Sequence, residues 1–226
     1  ALRLLADGTT LGYYRALRAY REGDTQRALA LVRQVGEAST EGAARGVYGL
    51  RHLEAILLRE SGDLAAARAV ADRLVAWRPD LYYGHAEQGL ILLAAGEARA
   101  AGVALERAVA CAPQLAEGHY NLGMARAEAG DAAGAVCALE RALRLGLRDE
   151  VTRLIARYHL ARAYAALGMA REAAAETRWL RRQWRVVRRW REALAAERVP
   201  PGGHRRTEEL ITAIAGVVRE GRDPGA

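Results

Sequence analysis

Small apolar residues recur in register along this chain. Ala16, Ala55, Gly89, Gly123 and Ala161 stand seven residues before a glycine (Gly23, Gly62, Gly96, Gly130, Gly168), and Ala28, Ala67, Ala101, Ala135 and Ala173 stand five after it. The glycines are spaced 39, 34, 34 and 38 residues apart, and four are followed by an acid: Asp24, Asp63, Glu97 and Asp131. Glycine supplies the left-handed backbone that ends a helix. An acid after it caps the next helix. Small residues on both sides let two helices cross closely. The pattern predicts repeated helical hairpins, with Pro79 and Pro113 stopping the second helix at the same offset in consecutive units. No strand pattern is evident, so the fold class is all-α.

The C-terminal third departs from this pattern. No Gly or Pro occurs from Ala170 to Arg198, which predicts one helix of roughly 28 residues, about 42 Å long. Arg178, Arg182, Arg185 and Arg189 form a basic stripe along it, opposite Trp179, Leu180, Trp184, Val187, Trp190 and Leu194. Pro200-Pro201-Gly202-Gly203 then breaks the chain. A last helix follows, with Thr207 as N-cap, an apolar stripe of Leu210, Ile211, Ile214, Val217 and Val218, and Gly221 as its stop. It is expected to cap the open end of a helical stack.

Composition narrows the class. Half of the 226 residues are apolar, which excludes wholesale disorder. No run of about 18 apolar residues is free of charge, so no membrane-spanning helix is indicated. Two cysteines cannot staple a scaffold, and both read as buried packing in second helices. All 34 basic residues are Arg, which hints at GC-rich bacterial coding. The chain begins at Ala1, consistent with trimming or a removed leader, and its localisation stays open between cytoplasm and cell envelope. The net charge is +7. Residues 178–206 carry ten Arg against Glu192 and Glu197, or +8, so the remainder is close to neutral.

The period and the segment AEGHYNLGMARAEAGDAAGAVCALERALRL (Ala116 to Leu145) resemble the tetratricopeptide repeat. Leu122, Gly123, Ala135, Leu139 and Ala142 fall on the signature positions of that family. The family's first-helix Trp is missing, with His85 and His119 in its place in two repeats. The resemblance implies a right-handed α-solenoid of about five helix-turn-helix repeats, at residues 9–42, 48–81, 82–115, 116–149 and 154–187. The long Arg/Trp-rich helix (170–199) continues the fifth repeat, and the break and capping helix occupy 200–226. Residues 1–8 read as the tail of a preceding second helix or as an N-terminal cap, since Ala1-Leu2-Arg3-Leu4 matches Ala142-Leu143-Arg144-Leu145.

The resemblance also implies a concave groove lined by first-helix positions. These are Tyr13, Leu17, Tyr20 and Arg21; His52, Ile56, Arg59 and Glu60; Tyr83, Ala86, Leu90 and Leu93; Glu117, Tyr120, Met124 and Glu128; Tyr158 and Arg162. Tyrosine suits an interface because it offers apolar area and a hydroxyl at low entropy cost. The expected function is a non-catalytic scaffold holding a protein, peptide or partner helix, with self-association into an oligomer or filament as a further expectation. The alternative is an anionic partner, nucleic acid or an acidic membrane surface, bound through Arg178, Arg182, Arg185 and Arg189. With no Lys and one Asn, the chain lacks the Lys/Asn carboxylate clamp of some family members.

No cofactor or metal is expected. His85 and His119 repeat at 34 residues, which sets them roughly 10 Å apart on adjacent helices, too far to share an ion. There is no HExxH, CxxC or GxSxG pattern, and the acid pairs sit near helix starts, where the dipole accounts for them.

Overall fold

The computed structural model describes residues 8–38, 44–195 and 204–220. Within these residues the chain forms twelve helices: α1 (Gly8–Arg21), α2 (Thr25–Ala38), α3 (Ala44–Glu60), α4 (Leu64–Trp77), α5 (Tyr82–Ala94), α6 (Ala98–Cys111), α7 (Ala116–Glu128), α8 (Ala132–Leu145), α9 (Glu150–Ala166), α10 (Ala170–Arg182), α11 (Trp184–Ala195) and α12 (His204–Glu220). Two compact units divide them, α1–α5 and α6–α12. The N-terminal segment before Gly8, the Pro-Pro-Gly-Gly break and Gly221 lie outside the described residues.

Local chemistry explains the hairpins. All five repeat glycines have positive φ, between 72° and 89°. At each, the glycine N–H bonds the carbonyl three residues back, as Gly62 does to Arg59 and Gly130 to Ala127. The following N–H reaches five residues back at four of them: Asp24 to Ala19, Asp63 to Leu58, Asp131 to Arg126 and Met169 to Tyr164. These paired bonds close the helix end, and the left-handed residue they need favours glycine. The next acid then caps the second helix. Asp24, Asp63 and Asp131 accept from the N–H three residues on, at 2.9, 3.1 and 2.9 Å. Glu97 makes no such bond.

Small residues set the helix separation. Ala16, Ala28, Ala55 and Ala67 are fully buried in the core of the first unit. In the second, Gly123 lies so close to α8 that a Cβ there would stand 2.6 Å from Leu139 Cγ and 3.2 Å from its backbone nitrogen. A methyl group would force the α7–α8 pair apart.

The C-terminal part differs from the single long helix expected over 170–199. The helix breaks at Gln183, whose N–H bonds the Leu180 carbonyl and whose own carbonyl accepts from Val186 as well as Val187. This tightened turn separates α10 from α11, and both pack on α12. Burial drives it: Leu180, Val187, Ile211 and Ile214 are all buried in one cluster with residues of α9. Helix α12 begins at His204, so Thr207 sits inside it and is not its N-cap.

Candidate functional site

The face shared by α1, α3 and α5 carries the first three sets of predicted groove residues. Helix α3 packs on both α1 and α5. Tyr13 is half-buried, and its ring lies against Gly49, where a Cβ would be 3.7 Å away. Leu17, Tyr20, Ile56 and Leu90 are also half-buried. Ala86 and Leu93, expected to line the groove, are buried. Tyr83 stands out, 52% exposed, with the His52 ring 5.0 Å away.

Hydrogen bonds and ion pairs link several of these residues. Tyr20 donates its hydroxyl to Glu60 Oε1 at 2.8 Å; burial and this carboxylate raise its pKa, so it stays a phenol. Arg59 Nε donates to Glu87 Oε2 at 3.0 Å, and His52 Nε2 lies 3.9 Å from Glu87 Oε1. Burial lowers the His52 pKa, against the pull of Glu87 and with the push of Arg59. Glu87 is 3% exposed, and such a buried charge persists only when paired. Reading only the expected groove positions misses Glu87, which lies on α5 between Ala86 and Leu90. Its signal was that it is the one charged residue of α5.

In the second unit the expected groove is filled. Met124 and Tyr158 are not open to a partner: they are buried, and half-buried Tyr120 packs with them. The cluster that holds them also takes Val187 of α11 and Ile211, Ile214 and Val217 of α12. The C-terminal helices supply the apolar surface a partner would have brought. Arg162 remains exposed, its guanidinium 5.9 Å from the Tyr158 ring. Beside it His159 is buried, and Nε2 has no hydrogen-bond partner. Burial, then the Arg162 charge, lowers its pKa to about 4.

The basic stripe is also rearranged. Arg178 and Arg182 belong to α10, Arg185 and Arg189 to α11, with the break between them. All four are exposed, but Arg189 is paired with Glu150. Trp184 does not join the packed side with Trp179 and Trp190. It is 45% exposed, with the guanidinium carbons of Arg185 and Arg188 at 5.7 and 5.1 Å from its ring. The side chain of Leu194 lies outside the described residues.

The repeated histidines have a structural role. His85 and His119 each donate Nε2–H, at 2.9 Å, to the carbonyl of the proline six residues earlier, Pro79 and Pro113. Each ties its first helix to the turn before it. Cys111 is half-buried and Cys137 exposed, so the expectation that both are buried is corrected for both. Among the described residues no group of three His, Cys, Asp or Glu could hold a metal, and no helix is long and apolar enough to cross a membrane.

No family model and no curated protein matches the sequence. Solved structures do. "MamA 41-end from Desulfovibrio magneticus RS-1" is similar at 22% identity and a TM-score of 0.61, over 76% of this chain and 92% of that one. A variant of a Podospora anserina protein, a putative kinesin light chain with nearly identical TPR-like repeats, is similar at 22% identity and a TM-score of 0.61, over 78% and 95%. TTC0263, a thermophilic TPR protein of Thermus thermophilus, matches at 20% identity and a TM-score of 0.61, over 75% and 88%. With hairpins closed by the same glycine turns from Gly23 to Gly168, this chain has the all-α solenoid fold of the tetratricopeptide-repeat proteins.

Proposed function

We propose that the protein is a non-catalytic interaction scaffold that receives a peptide or partner helix on the α1–α3–α5 face. The observation that carries this reading is Tyr83, an exposed aromatic side chain whose ring lies 5.0 Å from that of His52. Its ring is the anchor, and Tyr13, Leu17, Tyr20, Ile56 and Leu90 give the apolar bed. The Arg59–Glu87 pair, whose carboxylate is buried, and the Tyr20–Glu60 bond hold the bed in one arrangement before a partner arrives, which lowers the ordering cost of binding. In the second unit the C-terminal helices pack over Met124 and Tyr158 instead.

The test is selection from a displayed-peptide library on the full chain, followed by calorimetry of the best peptide. Tyr83→Ala should weaken that peptide by roughly tenfold or more and leave the melting temperature within about 2 °C of the parent's, since a half-exposed side chain adds little to the core. Equal affinity for the parent and the variant would refute the proposal. The same sample, sized by light scattering, tells a monomer that awaits an outside partner from an oligomer whose second copy is the partner.

A further inference from the structure

The surface at the α10–α11 break is independent of that groove. Helices α10 and α11 are Arg-rich, and several of these arginines are already engaged: Arg189 with Glu150, Arg188 with Glu192 at 3.5 Å, and Arg181 with the Val217 carbonyl at 3.5 Å. Arg178, Arg182 and Arg185 are exposed and make no ion pair with a carboxylate among the described residues. Between them in sequence stands Trp184, exposed because the tightened turn at Gln183 takes it off the packed side of the helix. The guanidinium carbons of Arg185 and Arg188 lie 5.7 and 5.1 Å from its ring centroid.

We propose that this surface binds single-stranded nucleic acid, with Trp184 stacking on a base and Arg178, Arg182 and Arg185 meeting phosphates. Each feature has a use in that partner, since bound single strands combine phosphate contacts with base–aromatic stacking. A duplex offers its phosphates but keeps its base faces covered. A membrane surface would need an apolar helix face to insert. That face of α11 is already spent: Val187 is buried, Val186 and Trp190 are half-buried, and all three belong to the α9–α12 cluster. An acidic protein segment would use the arginines and leave the indole without a role.

The experiment is fluorescence anisotropy of a labelled oligothymidylate of about 20 nucleotides against the full chain at several salt concentrations between about 50 and 200 mM. Duplex DNA of equal length and polyglutamate serve as competitors. Binding should fall steeply with salt. Replacing Arg178, Arg182 and Arg185 with Gln should flatten the log–log salt slope by about 2, from roughly 0.7 per phosphate contact. Trp184→Ala should weaken binding between about five- and a hundredfold at fixed salt and remove the quenching of tryptophan fluorescence on binding. All four residues are exposed, so circular dichroism should match the parent. No salt-sensitive binding of the single strand would overturn the proposal. So would equal competition by polyglutamate or duplex combined with a neutral Trp184→Ala, because the surface would then be reading negative charge alone. Neither result bears on Tyr83 and the peptide face.

Discussion

At the scale of single residues, His159 makes the sharpest claim. Its ring is buried on α9, and burial, then the charge of Arg162, lowers its pKa to about 4. In the unfolded chain the ring titrates near 6.5. The unfolded state therefore binds the proton first, and stability supplied by the neutral ring is present above about pH 6.5 and lost as the pH falls toward 4. Between pH 7 and 5 the loss should be about 2 kcal/mol. His52, also lowered, acts in the same direction. Denaturant unfolding across this range should show a smaller decline for His159→Gln than for the parent. Parallel curves would mean the ring is charged or solvated in the folded state. The sequence showed five histidines and gave no reason to single out this one, because its neighbours Arg162 and Tyr158 matter through burial. Glu87 was hidden for the same reason: its partners, His52 and Arg59, come from a different hairpin.

At the scale of elements, the hairpin turns were legible because each depends on a few adjacent residues. A glycine with positive φ and the acid after it are local facts, and they recur at Gly23, Gly62 and Gly130 with capping bonds in place. Glu97 shows the limit of that reading. It sits at the same offset as Asp63, but makes no capping bond. The longer side chain is a poorer fit to the N–H two or three residues on, and Glu is not among the favoured N-cap residues. Asp63→Ala should therefore cost about 1 kcal/mol, whereas Glu97→Ala should stay within about 0.5 kcal/mol of the parent. Thermal unfolding of the two variants side by side checks this, and an equal cost would remove the cap from the explanation. The break at Gln183 was not legible, since no Gly or Pro marks it. It follows from packing, where Leu180 and Val187 must both reach the cluster that contains Ile211 and Ile214.

At the scale of the whole molecule, the two units use their first helices differently, and among the described residues the second carries its own cover. The apolar stripe of α12 could be read from Leu210, Ile211, Ile214 and Val217, but its destination could not, because Tyr158 and Met124 lie far away in sequence. Those two residues were expected to face a partner and instead face the chain's own C-terminal part. The cover has a large energetic share. Ile211, Ile214, Val217 and Val187 are each at most 3% exposed, and burying such a side chain is worth about 1.5–3 kcal/mol. Together that is comparable to the net stability of a domain, about 5–15 kcal/mol. A chain ending at Gln183 should therefore melt at a lower temperature and bind a hydrophobic dye that the full chain ignores. A synthetic peptide of residues 204–220, added in trans, should restore part of the lost stability and displace the dye, because the surface left behind is shaped for that stripe. A peptide with Ile211 and Ile214 replaced by Ser should do neither. If the truncated chain melts like the parent without binding dye, α11 and α12 are an appendage and the second unit stands on α6–α10 alone. If it fails to fold by itself, recovery with the parent peptide but not the Ser peptide would still identify the C-terminal helices as the element that completes this unit.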